Sequence, residues 1–181
     1  MRVISNEQAE KVETPEKKET QEPVQMEKTF NNELVQQIGS ELFGVNFYTS
    51  VGIYFKTHGL CGLAEFYWKL AEKTMCIKGK IKEYLLFDEY CFTIPAIDKV
   101  PEVSDCFQCP VDYETKRIEE LYKLIEQAPC EITKGFVAKL IKKHCKLKHI
   151  VTIAANISAN SEDMLLIQQE ISKLICNEQE H

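Results

Sequence analysis

Apolar residues recur at intervals of three and four along most of this chain, the spacing that places them on one face of an α-helix. The first series predicts a long helix that ends near Thr57, before Gly59. Its inward positions are Leu34, Ile38, Val45, Tyr48, Gly52 and Phe55. An acidic residue, Glu41, lies on the same face. Because a carboxylate on a buried face must be paired, protonated or bound to a cation, Glu41 marks a candidate site.

The same periodicity predicts four further helices. A second one, from about Leu60 to Asp88, follows so short a break that it must run antiparallel to the first. Residues 89–110 contain three prolines and little helical period, and they are long enough to cross the bundle. A short third helix is predicted at 111–127, a fourth at 132–156 and a last one between 161 and 176. The predicted fold class is all-α, a four-helix bundle with a long crossover between helices 2 and 3 and a short fifth, C-terminal helix.

The inward faces of the second and fourth helices are mostly apolar. On the second helix they comprise Leu63, Tyr67, Leu70, Thr74, Ile77, Ile81 and Tyr84. On the fourth helix they comprise Phe136, Leu140, His144, Leu147, Val151 and Ala154. His144 is thus the imidazole available to Glu41 in the bundle centre. The two side chains either bind one cation or satisfy each other as a buried hydrogen-bonded pair, and the pairing is the commoner arrangement.

Composition indicates one globular domain preceded by a tail. Residues 1–28 are rich in Glu, Lys, Gln and Pro and contain no aromatic residue, so they are predicted to be a disordered charged tail, with the helical bundle at 29–181. A net charge of −6 argues against nucleic acid or an anionic membrane as a general partner. No secretory signal or membrane-spanning segment is apparent, so a cytoplasmic location and mostly reduced cysteines are expected.

Several segments resemble the non-haem ferritins. Within residues 38–55, the family's first-helix pattern is matched by Glu41, Asn46, Tyr48 and Ser50. Three other stretches are similar to the family's turn, crossover and fifth helix, namely 58–64, 94–97 and 161–174. From about residue 30 onward the chain therefore resembles a divergent member of the ferritin-like superfamily.

The resemblance implies a di-iron ferroxidase centre built from a Glu on the first helix, Glu-x-x-His on the second, a Glu on the third and a Gln or Glu on the fourth. The first ligand is Glu41, whereas the Glu-x-x-His positions hold Thr74 and Ile77. The third-helix position is Ile118 or Glu119, and the fourth-helix positions hold His144 and Leu147. This carry-over predicts a degenerate centre in which Glu41, Glu119 and His144 form a weak remnant. Iron would then be bound weakly or not at all by this chain alone.

Two further departures concern the fourth helix and the segment before it. Between Ile132 and Ser161 there are six lysines and no acid, where the family tends to place carboxylates. This face is either an acidic-protein or anion surface or, more commonly, a solvated one. The stretch 110–136 is also about ten residues shorter than the equivalent the resemblance implies. The short third helix and the basic fourth helix both argue against an ordinary hollow iron-storage shell.

Cys106 and Cys109 form a Cys-x-x-Cys pair at the end of the crossover. A zinc site needs about four ligands, and no second pair follows at the usual spacing. The pair is interpreted as a loop disulfide or as incidental thiols.

Three functions are consistent with these features. The first is a non-catalytic shell or iron-storage subunit that acts with itself or with other ferritin-like subunits. The second is a ferritin fold reused as an interaction module through the lysine-rich fourth helix. The third is an altered ferroxidase using Glu41, Glu119 and His144. Loss of the second-helix Glu-x-x-His argues against the altered ferroxidase. The lysine-rich fourth helix and the short third helix favour the interaction module, whereas the resemblance to the family favours the shell or storage subunit, which is the function predicted here.

Overall fold

The computed structural model describes residues 22–100, 102 and 105–177. They form five α-helices: α1 Glu22–Thr57, α2 Cys61–Phe87, α3 Gln108–Glu126, α4 Glu131–Ala159 and α5 Met164–Asn177. Within these described residues there is no strand, and the all-α prediction is confirmed. The predicted tail falls mainly on residues 1–21, outside the described part, but α1 already begins at Glu22 rather than near Thr29.

Two helical hairpins make up the bundle. The first joins α1 to α2 through a turn in which Gly59 has a φ of 77°, a left-handed conformation that favours glycine. The second joins α3 to α4 through residues 127–130. Every predicted inward residue of α1 and α2 is buried except Val45 and Tyr84, which are half-buried. The helical period alone was therefore sufficient to assign the core faces of these two helices.

The segment between α2 and α3 runs along the outside of the bundle without regular structure in its described residues. It starts beside the first half of α1, where the Tyr90 hydroxyl donates to Asn32 Oδ1 at 2.6 Å. Farther along, a Cβ on Gly39 would lie 2.7 Å from Cγ of Pro95, so glycine permits this close approach. The segment ends at the start of α2, where the Tyr67 hydroxyl donates to the Cys106 carbonyl at 2.6 Å. The predicted crossover is confirmed, and α3 consequently runs parallel to α2.

The short helix α5 closes one end of the bundle. Its Ile167 and Ile171 are buried, and its Gln168 side chain accepts a hydrogen bond from the Gly62 backbone at 2.9 Å. α3 has 19 residues and α1 has 36. At about 1.5 Å per residue, α3 is therefore roughly half as long as α1. None of the helices in the described part of the chain has the length and apolar composition that crossing a membrane requires.

Candidate functional site

Four ionisable side chains lie in the centre of the bundle, each no more than 2% exposed. They are Glu41 on α1, Glu114 and Arg117 on α3, and His144 on α4. Each occupies a position on the buried stripe of its helix, so the regular turn of three helices aims them at one point. Burial of this many charges is stable only if they compensate one another. Their hydrogen bonds show how they do so.

His144 lies between the two glutamates. Its Nε2 is 3.0 Å from Oε1 of Glu41, and its Nδ1 is 2.8 Å from Oε2 of Glu114. Only the imidazolium form can donate from both nitrogens at once. Burial lowers the pKa of His144, but the Glu41 charge and the hydrogen bonds to both carboxylates outweigh it and raise that pKa to about 9. At neutral pH His144 is therefore a buried cation.

Arg117 approaches Glu41 from the other side. Its Nη2 donates to Oε1 of Glu41 at 2.5 Å, while its Nη1 donates to Gln37 at 2.9 Å and to Glu120 at 2.6 Å. Burial disfavours the charge of Arg117, but Glu41 and its other neighbours raise the pKa of the guanidinium above its already high value. Burial likewise raises the pKa of Glu41, and the charges of Arg117 and His144 bring it below its usual range.

The four groups carry two negative and two positive charges, so the buried centre is electrically balanced. Tyr48 extends the network, since its hydroxyl donates to Oε1 of Glu114 at 2.5 Å. Burial and the neighbouring Glu114 charge raise the pKa of this phenol well above its ordinary value, so it stays a donor. Two atoms of the network, Oε2 of Glu41 and Nε of Arg117, are buried without a hydrogen-bond partner in the described structure. We name Glu41, Glu114, Arg117 and His144 the central ion-pair network.

The family of this chain follows from its similarity to known proteins. Residues 31–151 match the family model described as the ferritin-like domain of ferritin. The chain belongs to the ferritin-like family. No curated protein sequence matches this chain. Solved structures of archaeal ferritins, however, share the fold of this ferritin-like protein.

Three such structures illustrate the likeness. An open-pore ferritin from the hyperthermophilic archaeon Archaeoglobus fulgidus is 18% identical, with a TM-score of 0.73 over 80% of this chain and 96% of that one. A closed form of the same ferritin, engineered by site-directed mutagenesis, is 18% identical with a TM-score of 0.74 over 80% and 94%. A humanized archaeal ferritin is 18% identical, with a TM-score of 0.73 over 80% and 94%. At this identity the likeness concerns the fold.

In this ferritin-like protein, the predicted meeting of Glu41 and His144 is confirmed by their 3.0 Å contact. Thr74, Ile77 and Leu147 are buried as predicted. The Thr74 hydroxyl donates to the Leu70 carbonyl at 2.9 Å. These positions therefore lie in the core of the bundle.

The prediction for α3 is wrong. Glu119 is exposed and Ile118 is half-buried, whereas Glu114, Arg117, Leu121 and Leu124 form the buried stripe. Because two of the four residues on this stripe are charged, the spacing of apolar residues alone does not reveal it. A search for charges complementary to Glu41 and His144 at spacings of three and four would have found Glu114 and Arg117.

The Cys-x-x-Cys pair lies at the start of α3. Cys106 is a free, half-buried thiol, so the structure does not contain the loop disulfide that was one of the two interpretations. Burial and the neighbouring Asp105 carboxylate raise the pKa of Cys106 to about 11. Since the thiolate is the reactive form, the raised pKa lowers the nucleophilicity of Cys106 at neutral pH.

Proposed function

We propose that this chain is a non-catalytic, cytoplasmic subunit of the ferritin-like family, which stores iron only together with subunits that oxidise it. The observation that carries the proposal is the 2.5 Å contact between the Arg117 guanidinium and Glu41 in the centre of the bundle. The positive charges of Arg117 and His144 lie where the resemblance places two iron ions. The positive charges that neutralise the buried carboxylates are thus supplied by the protein's own side chains, Arg117 and His144.

The side-chain atoms available as metal ligands in the bundle centre also support a non-catalytic subunit. Glu41 and Glu114 contact opposite nitrogens of the same imidazole, so they cannot turn toward one ion without breaking both hydrogen bonds. On α2, the Thr74 hydroxyl is engaged by a backbone carbonyl and Ile77 offers no ligand atom. Within the described residues, no three His, Cys, Asp or Glu side chains are arranged to hold one metal ion. The residues present do not fit a di-iron centre.

Displacing the guanidinium would also be costly. A ferrous ion at Oε1 of Glu41 would have to displace Arg117 in a dry site, and one at the unpartnered Oε2 would lie beside the Arg117 and His144 cations. Leaving one partner of a buried ion pair alone costs about 3–5 kcal/mol. The Coulomb repulsion of the imidazolium adds to this cost. Iron binding at this position is therefore expected to be unfavourable relative to solvent.

The direct test is oxidation of ferrous iron in air by the purified full-length chain. We expect oxygen uptake at the rate of the buffer control. Uptake above that control, abolished by Glu41→Ala, would contradict the proposal and favour the altered-ferroxidase alternative. One of the three ligands predicted for that alternative, Glu119, is exposed at the surface and does not face the other two.

A second candidate function, the interaction module, is favoured by the charge of α4. Its six lysines face no acid on the same helix beyond Glu131. The interaction module is compatible with a chain that lacks ferroxidase activity. It predicts a partner that is recognised by charge. The nature of that partner follows from how α4 packs.

A further inference from the structure

Basic and acidic residues are segregated between the two halves of the molecule. α2 contains five lysines against three glutamates, and α4 contains six lysines against one glutamate. Residues 88–126, which comprise the crossover and α3, contain ten acidic residues against four basic ones. The chain as a whole is acidic, so its net charge conceals a strongly basic side formed by α2 and α4.

These two helices lie side by side and run antiparallel. Tyr84, near the end of α2, contacts Thr133 through its hydroxyl at 2.9 Å and stacks on Phe136 with ring centroids 4.2 Å apart. Farther back on α2, Lys73 is close enough to Lys146 of α4 for their charges to interact. The edge of α2 that carries Tyr84 therefore borders α4 along several turns.

Lysines occupy both sides of this border. On α2, Lys80 precedes Tyr84 by four residues and Lys73 precedes Lys80 by seven, which keeps all three on the same edge. On α4, Lys143 follows Phe136 by seven residues and lies on the edge that faces α2. We define the lysine ridge as the following six residues: Lys69, Lys73, Lys80, Lys139, Lys143 and Lys146. Four of them are exposed, while Lys69 and Lys143 are half-buried.

The ridge concentrates positive charge. Lys73 is exposed to solvent, but packing around its side chain removes part of the hydration of its ammonium group; this desolvation and the neighbouring charges of Lys69 and Lys146 lower its pKa. The acids of α2, namely Glu65, Glu72 and Glu83, are exposed; they lie on the solvent side of the ridge, one helical turn from Lys69 or Lys80, and not on the edge toward α4. Between residues 132 and 161, α4 and the turn that follows it supply no acid at all. Like charges held together in this way are relieved by an anion that spans them.

The residue types indicate which anion. The ridge contains lysines and no arginine, so it offers compact point charges and no planar group for bidentate recognition. Among the described residues, no Phe, Tyr or Trp side chain is exposed on α4, or on α2 before Phe87, so the large platforms on which nucleobases stack are missing there. From Lys69 to Lys80 the ridge is about 16 Å long at 1.5 Å per residue. We propose that the lysine ridge binds a linear chain of phosphate groups, recognised by charge alone.

The test measures binding of fluorescently labelled inorganic polyphosphate to the full-length protein by anisotropy at several salt concentrations. The ridge variant carries Lys139→Gln, Lys143→Gln and Lys146→Gln. A matched control carries Lys99→Gln, Lys116→Gln and Lys123→Gln, which changes the net charge equally at exposed positions on the acidic half. We expect the ridge variant to bind at least about tenfold more weakly and with a shallower salt dependence, while the control binds like the wild type.

Each other outcome overturns the proposal. Absence of binding at low salt would show that the ridge is a solvated face. Equal losses in both triple variants would show that net charge, rather than the ridge, governs binding. Tighter binding of a single-stranded oligonucleotide or of polyglutamate would assign the ridge to nucleic acid or to an acidic protein. Circular dichroism of both variants checks that the helices are intact, so that a loss of binding reports on charge.

Discussion

At the scale of single residues, Arg117 determines the character of the bundle centre. It pairs with Glu41 at 2.5 Å, and His144 bridges the remaining distance to Glu114. A buried ion pair adds little stability compared with apolar residues of similar volume, but loss of one partner is costly because it leaves an uncompensated charge. The network therefore contains two matched pairs of opposite charges, Glu41 with Arg117 and Glu114 with His144, which are joined by the contact between His144 and Glu41.

The first prediction concerns the pair of Glu41 and Arg117. Arg117→Leu leaves Glu41 with His144 as its only cation, and we expect a loss of about 3–5 kcal/mol in the free energy of unfolding. The double variant Glu41→Leu with Arg117→Leu removes the pair and leaves His144 with Glu114, so it should be more stable than the single variant. Urea denaturation followed by circular dichroism measures both.

A neighbouring position provides the control for that series. Lys116 precedes Arg117, and its side chain is 77% exposed. Lys116→Leu should therefore change stability by no more than about 0.5 kcal/mol. If the double variant were as unstable as Arg117→Leu alone, the charges would not be coupled as described.

The second prediction concerns pH and rests on His144. Its pKa is raised from 6.5 to about 9, so its contribution to stability is complete below pH 6.5 and is lost as the pH rises through 9. In this interval unfolding releases a proton, and stability should fall by on the order of 3 kcal/mol. Glu41, whose pKa is lowered from 4.5, acts at the acidic end, where its contribution is lost as the pH falls through its folded pKa.

The difference between variants isolates the histidine. His144→Gln should lower stability at pH 6.5 and reduce its decline between pH 6.5 and 9. His149→Gln, at an exposed position on the same helix, should keep the full decline. Parallel curves for the wild type and His144→Gln would mean that His144 is not a buried cation.

At the scale of elements, the first hairpin depends on a close approach of α1 and α2. A Cβ on Gly52 would lie 2.4 Å from Nε1 of Trp68 and 3.1 Å from the Ala64 carbonyl oxygen. The indole therefore packs directly over the backbone of α1. By contrast, Gly79 in α2 has no atom within 4 Å of such a Cβ.

The third prediction compares these two glycines. Gly52→Ala should destabilise the protein by about 1–3 kcal/mol, because the indole or the α1 backbone must move. Gly79→Ala should stabilise it by up to about 1 kcal/mol, since alanine favours the helix and meets no neighbour. Thermal unfolding of the two variants gives the sign of each effect. A stabilising Gly52→Ala would show that α1 and α2 are packed more loosely than described.

At the scale of the whole molecule, the surfaces of α3 and α4 bear on whether the chain can assemble into a shell. A closed shell requires each subunit to present the same complementary patches. Here α3 is short, and α4 carries six lysines with one acid. Like charges gathered around a symmetry axis repel one another, and they would also repel ferrous ions.

The fourth prediction follows from this repulsion. On its own, the purified chain should form monomers or small oligomers in light scattering, and no electron-dense iron cores should appear after ferrous loading. Mixing with an iron-oxidising ferritin subunit should bring the chain into a larger particle. Uniform hollow particles of the chain alone in negative stain would refute this expectation.

The sequence by itself determined the helices, their order and most of their inward faces, because burial of an apolar stripe with a period of 3.6 leaves a local signal. It also predicted that Glu41 and His144 meet, since each is a polar residue on an otherwise apolar helix face. Only the tertiary structure showed that Glu114 and Arg117, rather than Glu119, face them from α3. A charged residue on a buried stripe is recognised by its partners, and in this network the partners are separated by 30 to 103 residues along the chain. The lysine ridge likewise became visible only when α2 and α4 were seen to lie side by side.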